Sequence, residues 1–228
     1  MKTAIDFLNR IQANNNKTWF DAHKEEYKQI QERFNCFVEE LITGIAKFDE
    51  SIRDLSYKQC IYRFYRDIRF SSDKRPYKNH LGAYICPNGR KSGNSGYYFH
   101  IEATGGDYLG GNLISTGCYC PEKLALASIR DDICYQGENY IKAIQEAKDF
   151  YVNYEYSLKK LPAGFPIDTP YPELVKLKSF LLFQTIPLDI LFSSHLLEFV
   201  LTQFETTYNF NKLLNRAIDY SKDPEADF

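Results

Sequence analysis

The chain has 228 residues, of which 44% are hydrophobic, 25% charged and 16% aromatic, with 18 Tyr and 17 Phe; these values exclude a disordered or low-complexity protein and allow a sizeable core. A formal net charge of -2 and a pI near 6.1 count against a general nucleic-acid coat, which needs a strongly basic face. The longest apolar runs, such as Phe180-Leu181-Leu182-Phe183, are far shorter than the roughly 20 residues a membrane helix needs, so no membrane partner is expected.

At the start, Asp6 and Asn9 interrupt any apolar run between Met1 and Arg10, so no secretory signal is read there. Cys36, Cys60, Cys86, Cys118, Cys120 and Cys134 are scattered, the pattern of reduced thiols in a cytoplasmic protein. Asn14-Asn15-Asn16 reads as a loop ending in an Asn cap. From Trp19 to Phe48 apolar residues recur at steps of three and four, predicting one long helix with a break near Phe34-Asn35.

The period then changes. Strands are predicted at 60–64, 81–86, 96–102 and 108–114, separated by turn residues and by the Gly-Asn-Ser loop Pro87–Gly96; short connections favour antiparallel pairing. Pro121-Glu122-Lys123 opens a helix, 137–151 forms a second, and the proline-rich stretch Leu161–Pro172 cannot sustain one. Helices are predicted over 173–183, 188–205 and 209–220, followed by a loose tail, 221–228. The expected fold class is α+β: an antiparallel sheet of about four or more strands, flanked by a long N-terminal helix and a C-terminal helical region. It is read as a single domain over 1–220, helical over 1–50, sheet over 57–116 and helical again over 121–220.

Between Lys58 and His80, seven cations (Lys58, Arg63, Arg66, Arg69, Lys74, Arg75 and Lys78) face only Asp67 and Asp73, a local +5 inside an acidic chain. Arg63, Arg66 and Arg69 with Lys74 and Lys78 can converge in a loop as an anion cradle, because guanidinium groups match phosphate or carboxylate oxygens in bidentate pairs. Asp67 would orient one arginine, and Phe64, Tyr65, Phe70 and Tyr77 would wall the pocket or stack on a base. The competing reading makes the segment an ion-paired structural clamp. Two carboxylates cannot neutralise seven cations, so acidic groups elsewhere or a bound anion must complete the balance.

His100 shares a strand face with Tyr98 and Glu102 and is a candidate base or pocket residue; His23 is a weaker one. Cys118-x-Cys120 with Cys134 and Cys86 is poorly spaced for structural zinc, and no metal is expected. Walker, G-x-G-x-x-G and G-x-S-x-G signatures are absent, so no cofactor is assigned.

Arg63-x-x-Arg66-Asp67-x-Arg69-Phe70-x-x-x-Lys74-x-x-Tyr77, with Asn14-Asn15-Asn16-Lys17-x-Trp19-Phe20 before it and Gly96-Tyr97-Tyr98-x-His100-Ile101 after it, resembles the DUF2461 family of uncharacterised bacterial proteins. The likeness extends to Pro162-x-Gly164-Phe165 and Leu177-Lys178, and departs at Arg75, which fills a slot commonly small or polar. It implies a fold and a signature, and names no substrate. The ligand-binding set is therefore Arg63, Arg66, Asp67, Arg69, Lys74, Tyr77, Lys78 and His100, for a small phosphate- or carboxylate-bearing ligand. A nucleic-acid module, disfavoured by the net charge, and a structural or protein-interaction domain are the alternatives; catalysis and oligomeric state stay open.

Overall fold

The computed structural model describes residues 1–155 and 157–223; positions 224–228 of the expected tail lie outside the described residues. Within the part expected to be helical, 1–50, it begins with a separate helix, α1 (Lys2–Ala13), whose Ala4, Ile5, Phe7, Leu8 and Ile11 form a buried stripe. The expected long helix is two, α2 (Lys17–Ala22) and α3 (Lys24–Ile45). The break falls at His23 (φ -114°, ψ 15°) rather than near Phe34-Asn35. There the His23 ring stacks on Trp19 at 3.9 Å and its Nδ1 lies 2.8 Å from the Trp19 carbonyl, while the His23 N–H turns to Phe20. The side chain thus takes the carbonyl that the helical N–H would have used. The Asn16 cap is as expected, its side chain accepting from the Trp19 N–H at 3.0 Å.

A turn of helix, α4 (Tyr57–Cys60), replaces the start of the strand expected at 60–64, because Ser56 and Gln59 form a capping box that winds the chain. Ile61 and Tyr65 make only isolated bridges, to Ala83 and Tyr77. The basic segment therefore joins a helix to a strand, not two strands. β1 (His80–Ile85) and β2 (Gly96–Glu102) lie where expected. β3 (Leu113–Cys118) starts later than the expected 108–114, because Gly105, Gly110 and Gly111 have positive φ and keep the chain in a loop.

α5 (Lys123–Glu146) is two helical segments that meet at a non-helical Gln136 (φ -132°, ψ 26°), so the second begins at Gly137 as expected, but it stops short of 151. Tyr151–Val152 is instead β4. The helix expected over 173–183 is overturned: only α6 (Pro172–Val175) is helical, and Phe180–Thr185 is β5. Phe180 and Leu182 are both buried in a strand with a neighbour on each side, and a short, continuous apolar run suits such a strand as well as it suits a helix. α7 (Leu188–Leu191) and α8 (Leu196–Thr206) divide the expected 188–205 helix, and α9 (Tyr208–Tyr220) follows. Beyond it Lys222 donates to Asn94 at 2.9 Å.

Among the described residues the strands form one antiparallel sheet in the order β1-β2-β3-β5-β4; with helices before and after it the fold is α+β. Alternation gives the sheet two unlike faces. Tyr97 and Phe99 of β2 meet Phe34 and Phe37 of α3 and Phe204 of α8, and Thr116 of β3 accepts from Asn211 of α9. On the opposite face one cross-strand row runs Tyr84, Tyr98, Ser115, Phe183 and Tyr151, and the next runs Gly82, His100, Leu113 and Thr185. No helix among the described residues is long and apolar enough to cross a membrane.

Candidate functional site

The basic segment folds back on itself. Arg66 N–H donates to the Pro76 carbonyl and Lys78 N–H to that of Phe64, so 64–66 and 76–78 run side by side as a base, and 67–75 forms a tip. The base is held by aromatic packing: Phe64 lies 4.5 Å from Tyr27, and Tyr77 stacks on Phe20 at 4.1 Å. Asn15 holds Tyr77 through both backbone groups, accepting its N–H at 3.0 Å and donating to its carbonyl at 2.9 Å. The Asn-rich motif and the basic motif are therefore two halves of one clasp. Tyr77, 4% exposed, belongs to that clasp and offers no ring to a ligand.

The arginines at the tip are paired with carboxylates. Asp73 accepts from Arg66 at 2.6 Å and from Arg75 at 2.7 Å, Arg75 reaches Asp107 at 2.6 Å, and Asp67 accepts from Arg69 at 2.7 and 3.0 Å. Hydrogen bonds from Arg75 hold the Asp73 carboxyl far below the usual carboxylate range, and those from Arg69 lower Asp67 in the same sense. Asp107 supplies one distant acid toward the local charge balance. Lys74 donates to the Ile68 carbonyl at 3.1 Å, which closes the tip. Arg66, Asp67, Arg69 and Lys74 are thus engaged inside the segment, and the three arginines do not converge on one point.

A smaller cation group is left over. Lys78 Nζ lies 5.4 Å from the centre of the Tyr62 ring, and the Arg90 guanidinium lies 5.8 Å from the same ring. Burial lowers the Lys78 pKa, and Arg63, Arg66 and Arg90 add to the shift. Among the described residues Lys78 has no carboxylate partner within 4 Å, and Arg63 has only Asp67 at 3.9 Å. Arg90 is anchored through the carbonyls of Lys58 and Gln59 at 3.0 and 2.9 Å, which fixes a cation without cancelling it. Arg90 and Tyr62 were not among the sequence candidates; the signal available was the Arg90-Lys91 pair in a loop rich in Gly, Asn and Ser.

Below this group, on the sheet face free of α3 and α8, lies a buried polar chain. His100 is 0% exposed; its Nδ1 lies 2.9 Å from Tyr98 Oη and its Nε2 3.2 Å from Glu102. Burial alone would raise the Glu102 pKa, yet hydrogen bonds from His100 and the N–H groups of Tyr108 and Leu109 outweigh it and hold the group at about 2. Burial lowers the His100 pKa, and drives that of His80 down to about 3, with His100 and Lys78 adding to the His80 shift. His80 stacks on Tyr108 at 4.0 Å and lies 5.1 Å from the His100 ring. Tyr62 meets Tyr98 edge-on at 6.3 Å, linking the cation group to this chain. Among the described residues no group of three or more His, Cys, Asp or Glu is placed to hold a metal ion.

A helix-backed antiparallel sheet, with a clasped basic segment folded beside the β1 edge, defines the class: an α+β protein. The chain belongs to the family described as conserved hypothetical protein (DUF2461), whose model matches residues 3–212. That span contains the clasp, the tip and the polar chain. Neither a curated protein nor a solved structure matches the chain.

Proposed function

We propose that the protein binds a small phosphate- or carboxylate-bearing ligand at Lys78, Arg63 and Arg90, against the ring of Tyr62. The observation that carries this reading is the half-buried Lys78 ammonium, which shares the Tyr62 ring with the Arg90 guanidinium and, among the described residues, has no carboxylate partner within 4 Å. Like charges held together in a partly desolvated place cost free energy, which an arriving anion removes. The Tyr62 ring supplies an apolar wall for the body of the ligand. The tip arginines, already paired, act as the clamp that shapes the segment.

The test is calorimetric titration with pyrophosphate at low salt. Wild type binds; Lys78→Gln, which removes one charge-assisted contact of roughly 1.5–3 kcal/mol, weakens binding about 10- to 100-fold. Arg69→Ala, at the exposed tip, leaves it within about twofold. Absence of pyrophosphate and citrate binding in wild type contradicts the reading. Phe70, 96% exposed with Arg69 beside its ring, favours a nucleic-acid reading. Single-stranded DNA binding that is lost in Arg69→Ala and falls steeply with salt would support that reading.

A further inference from the structure

We propose that Tyr98, His100 and Glu102 form a nucleophilic triad in which Tyr98 Oη attacks a phosphoryl group held by Lys78; the phosphoryl part rests on the anion-binding reading above. Glu102 accepts the N–H groups of Tyr108 at 2.7 Å and Leu109 at 2.9 Å as well as facing His100 Nε2. A carboxylate already accepting those bonds is an acceptor toward His100, so the imidazole proton sits on Nε2. The Nδ1 lone pair then faces Tyr98, whose hydroxyl donates to it across 2.9 Å. Hydroxyl, imidazole and carboxylate follow one another in the order that activates an oxygen nucleophile.

Glu102 holds the 103–112 loop together with Asn9, which accepts from the Thr104 N–H, and with Arg75 and Asn79, which donate to Asp107, whereas the His100–Tyr98 arm leads away from that loop toward Gly82 and Tyr62. A side chain at Gly82 would place its Cβ 2.6 Å from Tyr98 Oη, so the phenol lies directly on the β1 backbone in the space that the glycine leaves. Ser115, paired with Tyr98 on β3, is 2% exposed, and its hydroxyl has no partner among the described residues. The groups facing His100 are Tyr98 and Glu102 of its own strand, His80 of β1, and Tyr108 of the following loop. The Lys78 charge acts on it from the basic segment.

In the reaction Tyr98 Oη forms the bond to phosphorus while the bond from phosphorus to the leaving-group oxygen breaks. The leaving group departs with the electron pair as an anion, and the Tyr98 proton passes to His100 Nδ1. The resulting imidazolium is paired with Glu102. The substrate class is a phosphoanhydride or aryl phosphate, whose leaving group is stable as an anion.

Methanesulfonyl fluoride, small and needing no recognition, tests the triad: Oη–S forms, S–F breaks, and the modified tyrosine is located by peptide mass spectrometry. In wild type at pH 7, Tyr98 is modified at least about tenfold faster than the exposed Tyr135. Its rate is nearly flat from pH 7 to 9, whereas that of Tyr135 climbs about tenfold per pH unit as an unassisted phenol ionises. His100→Gln brings Tyr98 down to the pace of Tyr135 or below. Wild-type Tyr98 that is unmodified, or modified no faster than Tyr135, overturns the triad, and this comparison needs no variant to fold. Pyrophosphate binding with an unreactive Tyr98 overturns the triad alone; a reactive Tyr98 without pyrophosphate binding supports the triad and removes the anion site.

Discussion

Lys78 and His80 are two residues apart and share one cause for their behaviour: each is a basic group kept from water with too little negative charge beside it. For His80 the effect on stability has a definite sign. The unfolded imidazole protonates near pH 6.5, while the folded one stays neutral down to about 3, so between those values the unfolded chain holds the extra proton. Stability therefore falls as pH drops from 6.5 toward 3, with a slope from this group of up to about 1.4 kcal/mol per unit. Glu102 adds a loss of the same sign below about 4.5, where its unfolded form takes up a proton that the folded form refuses until about 2. Urea unfolding at pH 7, 6 and 5 checks this: His80→Gln should be flatter across the interval than wild type, and equal slopes would contradict the assignment.

At the level of elements, the clasp between the α1–α2 connection and the basic segment carries a large share of the local order. Phe64 is 2% exposed in an aromatic cluster with Phe7, Phe20, Tyr27 and Tyr77, so Phe64→Ala should cost about 3–5 kcal/mol in chemical denaturation. Asn15→Ala removes both bonds to the Tyr77 backbone and should cost about 1–3 kcal/mol; a loss below about 0.5 would mean that water replaces the amide freely. In the sheet, Gly117 has φ +121°, and a Cβ there would fall 1.9 Å from the Phe180 carbonyl. Gly117→Ala should therefore open the β3–β5 ladder, and is expected to destabilise by about 2 kcal/mol or more.

Legibility at this scale followed the physics. The Asn16 cap and strands β1 and β2 were readable because a side-chain oxygen beside free N–H groups, and alternation between turns, are local signals. β5 was not: a buried strand such as Phe180–Phe183 loses the alternation that marks an exposed one. The His23 break was hidden because it depends on an imidazole reaching the Trp19 carbonyl, which no periodicity records.

Across the whole molecule the acidic chain and the basic segment are reconciled by folding. Asp107, from the loop after β2, reaches back 32 residues to Arg75, so part of the local +5 is cancelled at long range, while Lys78 stays uncancelled beside Tyr62. The sequence made the charge excess plain but not its division, since which arginine meets which carboxylate depends on that distant loop. For the same reason Arg90, from the β1–β2 loop, could not be assigned to the site, whereas Tyr98, His100 and Glu102 could be placed together by alternation alone. The central claim is that the uncancelled cations form one site. Crystals grown in sulfate test it most directly: the expected result is a sulfate contacting Lys78 Nζ and at least one of Arg63 and Arg90 over the Tyr62 ring. Lys78 ion-paired to a carboxylate of its own chain, with no anion beside it at saturating sulfate, would contradict it.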